Sequence, residues 1–262
     1  MAQLKGGIDF TGKIGGLSAY KRKDNDRTFI RTPGGASKKK IKTAKSFENT
    51  RQNNAEWRGC GKGAGRIRWA VMFVKHLADY NFTSQFARLC KMMQLQDTEN
   101  VRGERSVLFS RQRNLLEGFR LTQKNPFDGV VRSPLKCEII RETGSASVQL
   151  PDLMPEVNLY IPWQYPLFRF VISLRAITDL HYNYPAATSD NTDAAPVIYT
   201  EWQTAEQNYN GERVELQLKS GGKTDDSWTF ILSVGLEMGT PISNTVINTV
   251  KYAGCAKILA IA

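Results

Sequence analysis

At 262 residues and 29.5 kDa the chain can bury one large core or two modest ones, and 41% hydrophobic against 23% charged residues excludes wholesale disorder. The net charge of +11 is unevenly spread: residues 1–125 carry 26 Lys and Arg against 10 Asp and Glu, whereas residues 126–262 carry 10 against 15. A basic half joined to an acidic one points to a polyanionic partner, whether nucleic acid, an anionic surface or the acidic half of a neighbouring copy. Cys60, Cys90, Cys137 and Cys255 lack the paired spacing of a zinc site or a disulfide framework. The first ten residues hold no apolar targeting run, and no stretch reaches transmembrane length. The expectation is a soluble cytoplasmic protein with reduced thiols, no cofactor and no metal.

In chain order, residues 5–35 read as a β-meander. Ile8 and Phe10 open it, Gly12-Lys13-Ile14-Gly15-Gly16 turns it, Leu17–Tyr20 and Thr28–Arg31 form two more strands around Asp24-Asn25-Asp26, and Pro33-Gly34-Gly35 closes it. Three short strands make a poor core alone, so the meander must lean on something else. The run Lys38-Lys39-Lys40-Ile41-Lys42 reads as extended and solvated. A long helix is expected over about 45–78, with Trp57, Cys60, Ala64, Ile67, Val71, Val74 and Ala78 repeating at three- and four-residue steps. A second helix follows Thr83 as N-cap, with Phe86, Leu89, Cys90 and Met93 inward. A third over about 100–119 buries Val101, Leu108, Leu115 and Phe119, completing a small bundle.

From about residue 130 the period becomes two. Phe168, Phe170, Ile172 and Leu174, then Val214, Leu216 and Leu218, then Trp228, Phe230, Leu232, Val234 and Leu236 alternate with other residues, as strands with one face in a core and one in water do. Seven or eight strands punctuated by Asn210-Gly211, Gly221-Gly222 and Gly239-Thr240-Pro241 favour an antiparallel β-sandwich, and Tyr184–Pro196 reads as a long exposed loop. The fold class is therefore α+β: an N-terminal β-meander plus small helical bundle over 1–125, followed by an antiparallel β-sandwich over 126–262 able to fold alone.

Gly59-Cys60-Gly61-Lys62-Gly63-Ala64-Gly65-Arg66 superficially suggests a phosphate loop, but no Ser or Thr follows Lys62 and the run lies inside helical periodicity. Gly59/Gly63 and Gly61/Gly65 each share a helical face, so close packing against another backbone is the better reading. His76 and His181 have no nucleophile or partner marked nearby, Asp225-Asp226 reads as a turn, and no catalytic residue is assigned. The basic constellation stands out. Lys38, Lys39, Lys40 and Lys42 lead through Lys45 into Arg51, Arg58, Lys62, Arg66 and Arg68, a stripe suited to tracking phosphates or an acidic partner surface. Trp57 and Trp69 lie beside it, with Trp57 on the apolar stripe and so assigned to the core. No helix-turn-helix, zinc-finger or RNA-recognition signature accompanies it, so nucleic-acid binding would be carried by backbone contacts.

The N-terminal half also resembles a family of uncharacterised Bacteroidota proteins, a domain of unknown function. The likeness rests on Gly12-Lys13-Ile14-Gly15-Gly16 with Tyr20, Arg31, Gly34-Gly35, Ile41-Lys42, Phe47, Thr50-Arg51, Asn53-Asn54-Ala55-Glu56 and Gly63-Ala64-Gly65. It continues through Arg102-Gly103-Glu104-Arg105 and Leu116-Glu117-Gly118-Phe119. The resemblance implies architecture over roughly 1–125 and brings no activity, ligand or functional residue. Two functions remain: a non-enzymatic structural subunit that assembles with copies of itself, or a sequence-nonspecific nucleic-acid-binding protein using the basic half.

Overall fold

The computed structural model describes residues 2–3, 10–22, 25–32, 34–188, 190–222, 225–243 and 245–262. The chain forms two compact units, Met1–Arg51 and Gln52–Ala262. The division therefore falls at 51/52 and not at 125/126.

In the first unit, β1 (Ala2–Gln3), β2 (Gly12–Ile14), β3 (Leu17–Arg22) and β4 (Asn25–Arg31) make an antiparallel sheet ordered β1-β4-β3-β2. The meander is present, but Gly12–Ile14, expected to turn the chain, is itself a strand paired with Leu17–Ala19. The turn is left to Gly15-Gly16, where Gly15 takes the φ of +55° that a side chain would resist. Tyr20 and Phe29 face each other across β3 and β4 with rings stacked 5.9 Å apart, and Ala19, Thr28 and Phe29 are buried. Ile8, Asp24 and Pro33 lie outside the described residues. The lysine run is not extended but helical: α1 spans Lys38–Thr43. Ser37 caps it by accepting from Lys40 N at 3.2 Å, and Arg51 donates to Ile41 O and Ala44 O at its other end. Those caps satisfy backbone groups that so short a helix would otherwise leave to water.

The second unit is layered. Its helical layer begins with α2 (Glu48–Ala70), whose residues before Gln52 belong to the first unit. The expected helix to residue 78 stops at Ala70, yet its buried stripe continues. Val71, Val74 and Leu77, three apart, remain buried because the chain tightens there into turns and a 3₁₀ helix, Lys75–Leu77. Trp57 is not core; it is 55% exposed. The second helix, α3 (Thr83–Leu95), has Phe82 and not Thr83 at its N-cap position, and Asn81 Oδ1 accepts from Thr83 N. The third expected helix is absent. Asp97 accepts from the backbone of Glu99, Asn100 and Ser106, folding residues 97–106 into a loop, and Val101 points outward. Short acidic and amide side chains that satisfy local N–H groups compete with a helix in this way. So no three-helix bundle forms: two α-helices and a loop make the layer.

The one-turn α4 (Phe127–Val130) leads to β5 (Lys136–Ile140) and β6 (Ser145–Gln149), then β7 (Leu167–Thr178), β8 (Thr192–Ala194), β9 (Ile198–Tyr199), β10 (Gln203–Thr204) and β11 (Arg213–Gln217). The last two strands, β12 (Trp228–Pro241) and β13 (Ile247–Ile261), are the longest. One sheet runs β10-β7-β12-β13, with β8 and β9 also on β7; the other runs β11-β6-β5; every pairing is antiparallel. Phe168, Phe170, Ile172 and Leu174 of β7 and Phe230, Leu232, Val234 and Leu236 of β12 share a core with Val148 and Leu216 of the smaller sheet. That is the sandwich. The other face of the large sheet is not in water. Val171 and Ile177 of β7, Ile231 of β12 and Ile258 of β13 join Ile67, Val74, Phe86 and Cys90 in a second core. Likewise the Tyr184–Pro196 stretch is not simply an exposed loop: Tyr184 is fully buried and Thr192–Ala194 pairs with β7.

Candidate polyanion and partner interface

The sequence-derived basic residues fall in both units. Lys38, Lys39, Lys40 and Lys42 are exposed on α1, which buries no side chain, and Arg51 is half-buried in its capping role. In the second unit, Arg58, Lys62 and Arg66 stand on successive turns of α2, and all three are directed at the segment from Thr178 to Pro185. Arg66, only 3% exposed, donates to Thr178 O at 2.8 Å, Thr178 Oγ1 at 3.1 Å, Asp179 O at 3.1 Å and Pro185 O at 3.4 Å. Burial holds its guanidinium below the usual arginine value, and nearby Asp179 partly restores it. Lys62 Nζ donates to Tyr184 O, and the Arg58 guanidinium carbon lies 5.9 Å from the Tyr184 ring centroid. These cations hold a loop in place. Arg68 is exposed to solvent.

The glycine run explains why the loop docks here. A Cβ on Gly59 would come within 2.5 Å of the Tyr184 ring, and one on Gly63 within 2.9 Å of Cys90 Sγ, while Gly61 and Gly65 face open space. One glycine pair is a packing device, admitting side chains and not the expected backbone; the other pair is solvent-facing. Tyr184 Oη donates to Arg105 O at 2.7 Å and accepts from Gln94 Nε2 at 3.2 Å. Glu56, buried beside it, accepts from Lys91 Nζ at 2.5 Å and Gly103 N at 3.0 Å. Burial pushes the Glu56 carboxyl up, but Gly103 and Lys91 outweigh it and hold it below the ordinary value.

The histidines also have structural settings. His76 Nε2 lies 2.9 Å from Glu237 Oε2, whose other oxygen accepts from Arg169 at 2.6 Å. His181 lines a polar cleft with Ser110, Asp179 and Arg113. Asp179 accepts from Ser110 N at 2.9 Å and Ser110 Oγ at 2.5 Å, tying the 106–110 loop to the end of β7 beside the Val107–Leu180 bridge. Burial raises its pKa, and the Ser110 bonds reduce that rise. Burial likewise pushes the Cys60 thiol up to about 11, and the Cys90 and Cys255 thiols up as well. Among the described residues no group of three or more His, Cys, Asp or Glu is placed to hold a metal ion, and no helix is long and apolar enough to cross a membrane.

No family model, curated protein or solved structure matches the chain.

Proposed function

We propose that the protein is a non-enzymatic structural subunit that assembles with copies of itself through its N-terminal unit. The observation that carries this reading is a concentration of charge on a unit with little core. Residues 1–51 hold 13 Lys and Arg against 4 Asp and Glu, while residues 52–262 hold 23 against 21. Almost the entire net charge therefore belongs to the first unit, in which Ala19 and Phe29 are the buried apolar side chains among the described residues. Ile14 and Leu17, at the β2–β3 turn, are exposed. A small twisted sheet with so little apolar burial gains stability by adding its strands or side chains to another surface. Unlike charge on a neighbour sets orientation and encounter rate, and apolar contact supplies the hold.

Light scattering on the full chain and on one lacking residues 1–44 tests this. The full chain should scatter as an oligomer, and the truncated one as a monomer with an unchanged strand signal in circular dichroism. A full chain that is monomeric at tens of micromolar would count against the reading.

The four exposed lysines of α1 favour a second reading, binding to nucleic acid through phosphates. Lys39→Glu with Lys40→Glu would then weaken binding by a similar factor on every sequence and make its salt dependence shallower. Absorbance at 260 and 280 nm of the purified protein separates the two readings.

A further inference from the structure

The segment between β6 and β7 forms, with the residues after β10, a cleft of 740 Å³ that the assembly reading leaves unused. Its walls include Glu156, Tyr160, Trp163, Gln164, Tyr165 and Glu206, and Ala205 N donates to Pro166 O at 2.8 Å to join them. Tyr160 is 51% exposed and Tyr165 37%. Exposed rings flanked by carboxylates suit a ligand that is cationic at its tip and apolar along its stem. A lysine or arginine side chain is both. The Tyr160 ring already takes such a contact within the chain, the Arg132 guanidinium carbon lying 5.3 Å from its centroid.

The charge pattern of the sequence identifies the occupant. Among the residues lining the cleft, Glu156 and Glu206 are charged and none is Lys or Arg. The densest cationic stretch in the chain is Lys38-Lys39-Lys40-Ile41-Lys42, continued by Lys45, on a short helix that buries nothing. We infer that the cleft receives the Lys38–Lys45 segment of a second copy, lysine stems lying along Tyr160 and Tyr165 and ammonium groups meeting Glu156 and Glu206. The inference rests on the assembly reading, for which it names the receiving surface. A head-to-tail contact of this kind is heterologous, so it closes into a ring or continues as a filament.

The test is a charge exchange in the full chain. Glu156→Lys with Glu206→Lys should abolish the large species in light scattering, as should Lys39→Glu with Lys40→Glu, and the four changes together should restore it. Glu104→Lys with Glu117→Lys alters net charge equally, away from the cleft, and should leave assembly intact. A second measurement does not depend on assembly. A synthetic peptide of residues 36–47 is titrated calorimetrically into the full chain with Lys38→Glu, Lys39→Glu, Lys40→Glu and Lys42→Glu, whose cleft is then open. Binding should weaken tenfold or more when Glu156→Lys and Glu206→Lys are added. A monomeric wild-type chain whose open cleft still binds the peptide would defeat the assembly reading and leave the cleft standing. No peptide binding, or equal loss in the Glu104/Glu117 control, would overturn the cleft assignment.

Discussion

Arg66 illustrates how a residue chosen for its charge comes to serve the fold. A guanidinium offers five donors in a planar fork and cannot shed its proton to escape burial, so it is buried only where oxygens converge. Here the end of β7 and the following loop supply four, all within 3.4 Å. Glu237 is the anionic counterpart. It lies on the helix-facing side of β12, where a charge is costly unless paired on more than one side, and Arg169 and His76 provide that pairing. Burial pushes its carboxyl up, but the bonds from His76 and Arg169 leave it below the ordinary value of 4.5. A carboxyl held low in the folded state contributes stability that is fully present above its unfolded value and lost as pH falls through the folded one. Glu56 acts in the same sense; Asp179, whose pKa is raised, acts in the opposite one. Urea midpoints should therefore drop as pH falls below about 4.5, and Glu237→Gln should be less stable at pH 7 with a shallower acid limb. An acid limb unchanged by Glu237→Gln would show that the buried pair does not govern acid stability.

At the scale of elements, α2 shows what the sequence makes legible and what it hides. The three- and four-residue spacing of Cys60, Ala64, Ile67 and Val71 identifies a buried face, and the structure buries all four. Trp57 continues the same spacing but is exposed, and periodicity carries no information about where a neighbour ends. The α1 lysines read as extended because a charge run has no apolar periodicity, whereas the Ser37 cap makes them a helix. Val101, Leu108 and Leu115 carry a helical spacing, but the three backbone N–H groups that Asp97 collects hold residues 97–106 in a loop. Arg58, Lys62 and Arg66 share one side of α2, but what they hold, Thr178–Pro185, lies more than a hundred residues away in the chain. The glycines of α2 allow a test in which the sign differs by face. Gly61→Ala and Gly65→Ala, open to solvent, should each stabilise by about 0.5–1 kcal/mol, the usual helix-propensity gain. Gly59→Ala should cost about 1–3 kcal/mol, because the new methyl meets the Tyr184 ring with no space to yield. Chemical denaturation of the four single variants, Gly63→Ala included on the destabilised side, measures the split; equal effects on both faces would contradict the packing account.

At the scale of the whole molecule, β12 decides which pieces can stand alone. Alternation along it was legible, and it implied one dry face and one wet face. The structure shows a strand buried on both, with Phe230, Leu232 and Val234 toward the smaller sheet and Ile231 toward the helical layer. In the neighbouring strand β7 two arginines also have partners: the Arg175 guanidinium carbon lies 4.2 Å from the Trp69 ring centroid, and Arg169 pairs with Glu237 of β12. A division after residue 125 would therefore strip the helices from the large sheet and expose Val171, Ile177, Ile231 and Ile258 together. Each such side chain fully transferred to water forfeits about 1.5–3 kcal/mol, and a domain's whole stability is about 5–15 kcal/mol. Residues 126–262 expressed alone should consequently aggregate or melt without cooperativity, although their hydrophobic pattern on its own predicts a self-sufficient sandwich. Removing residues 1–44 should leave the melt of the remaining chain sharp, since no described residue among them belongs to either core of the larger unit. Differential scanning calorimetry on the two pieces compares them directly, and a cooperative transition from residues 126–262 would mean that the helical layer is a cover and not a structural half of the unit.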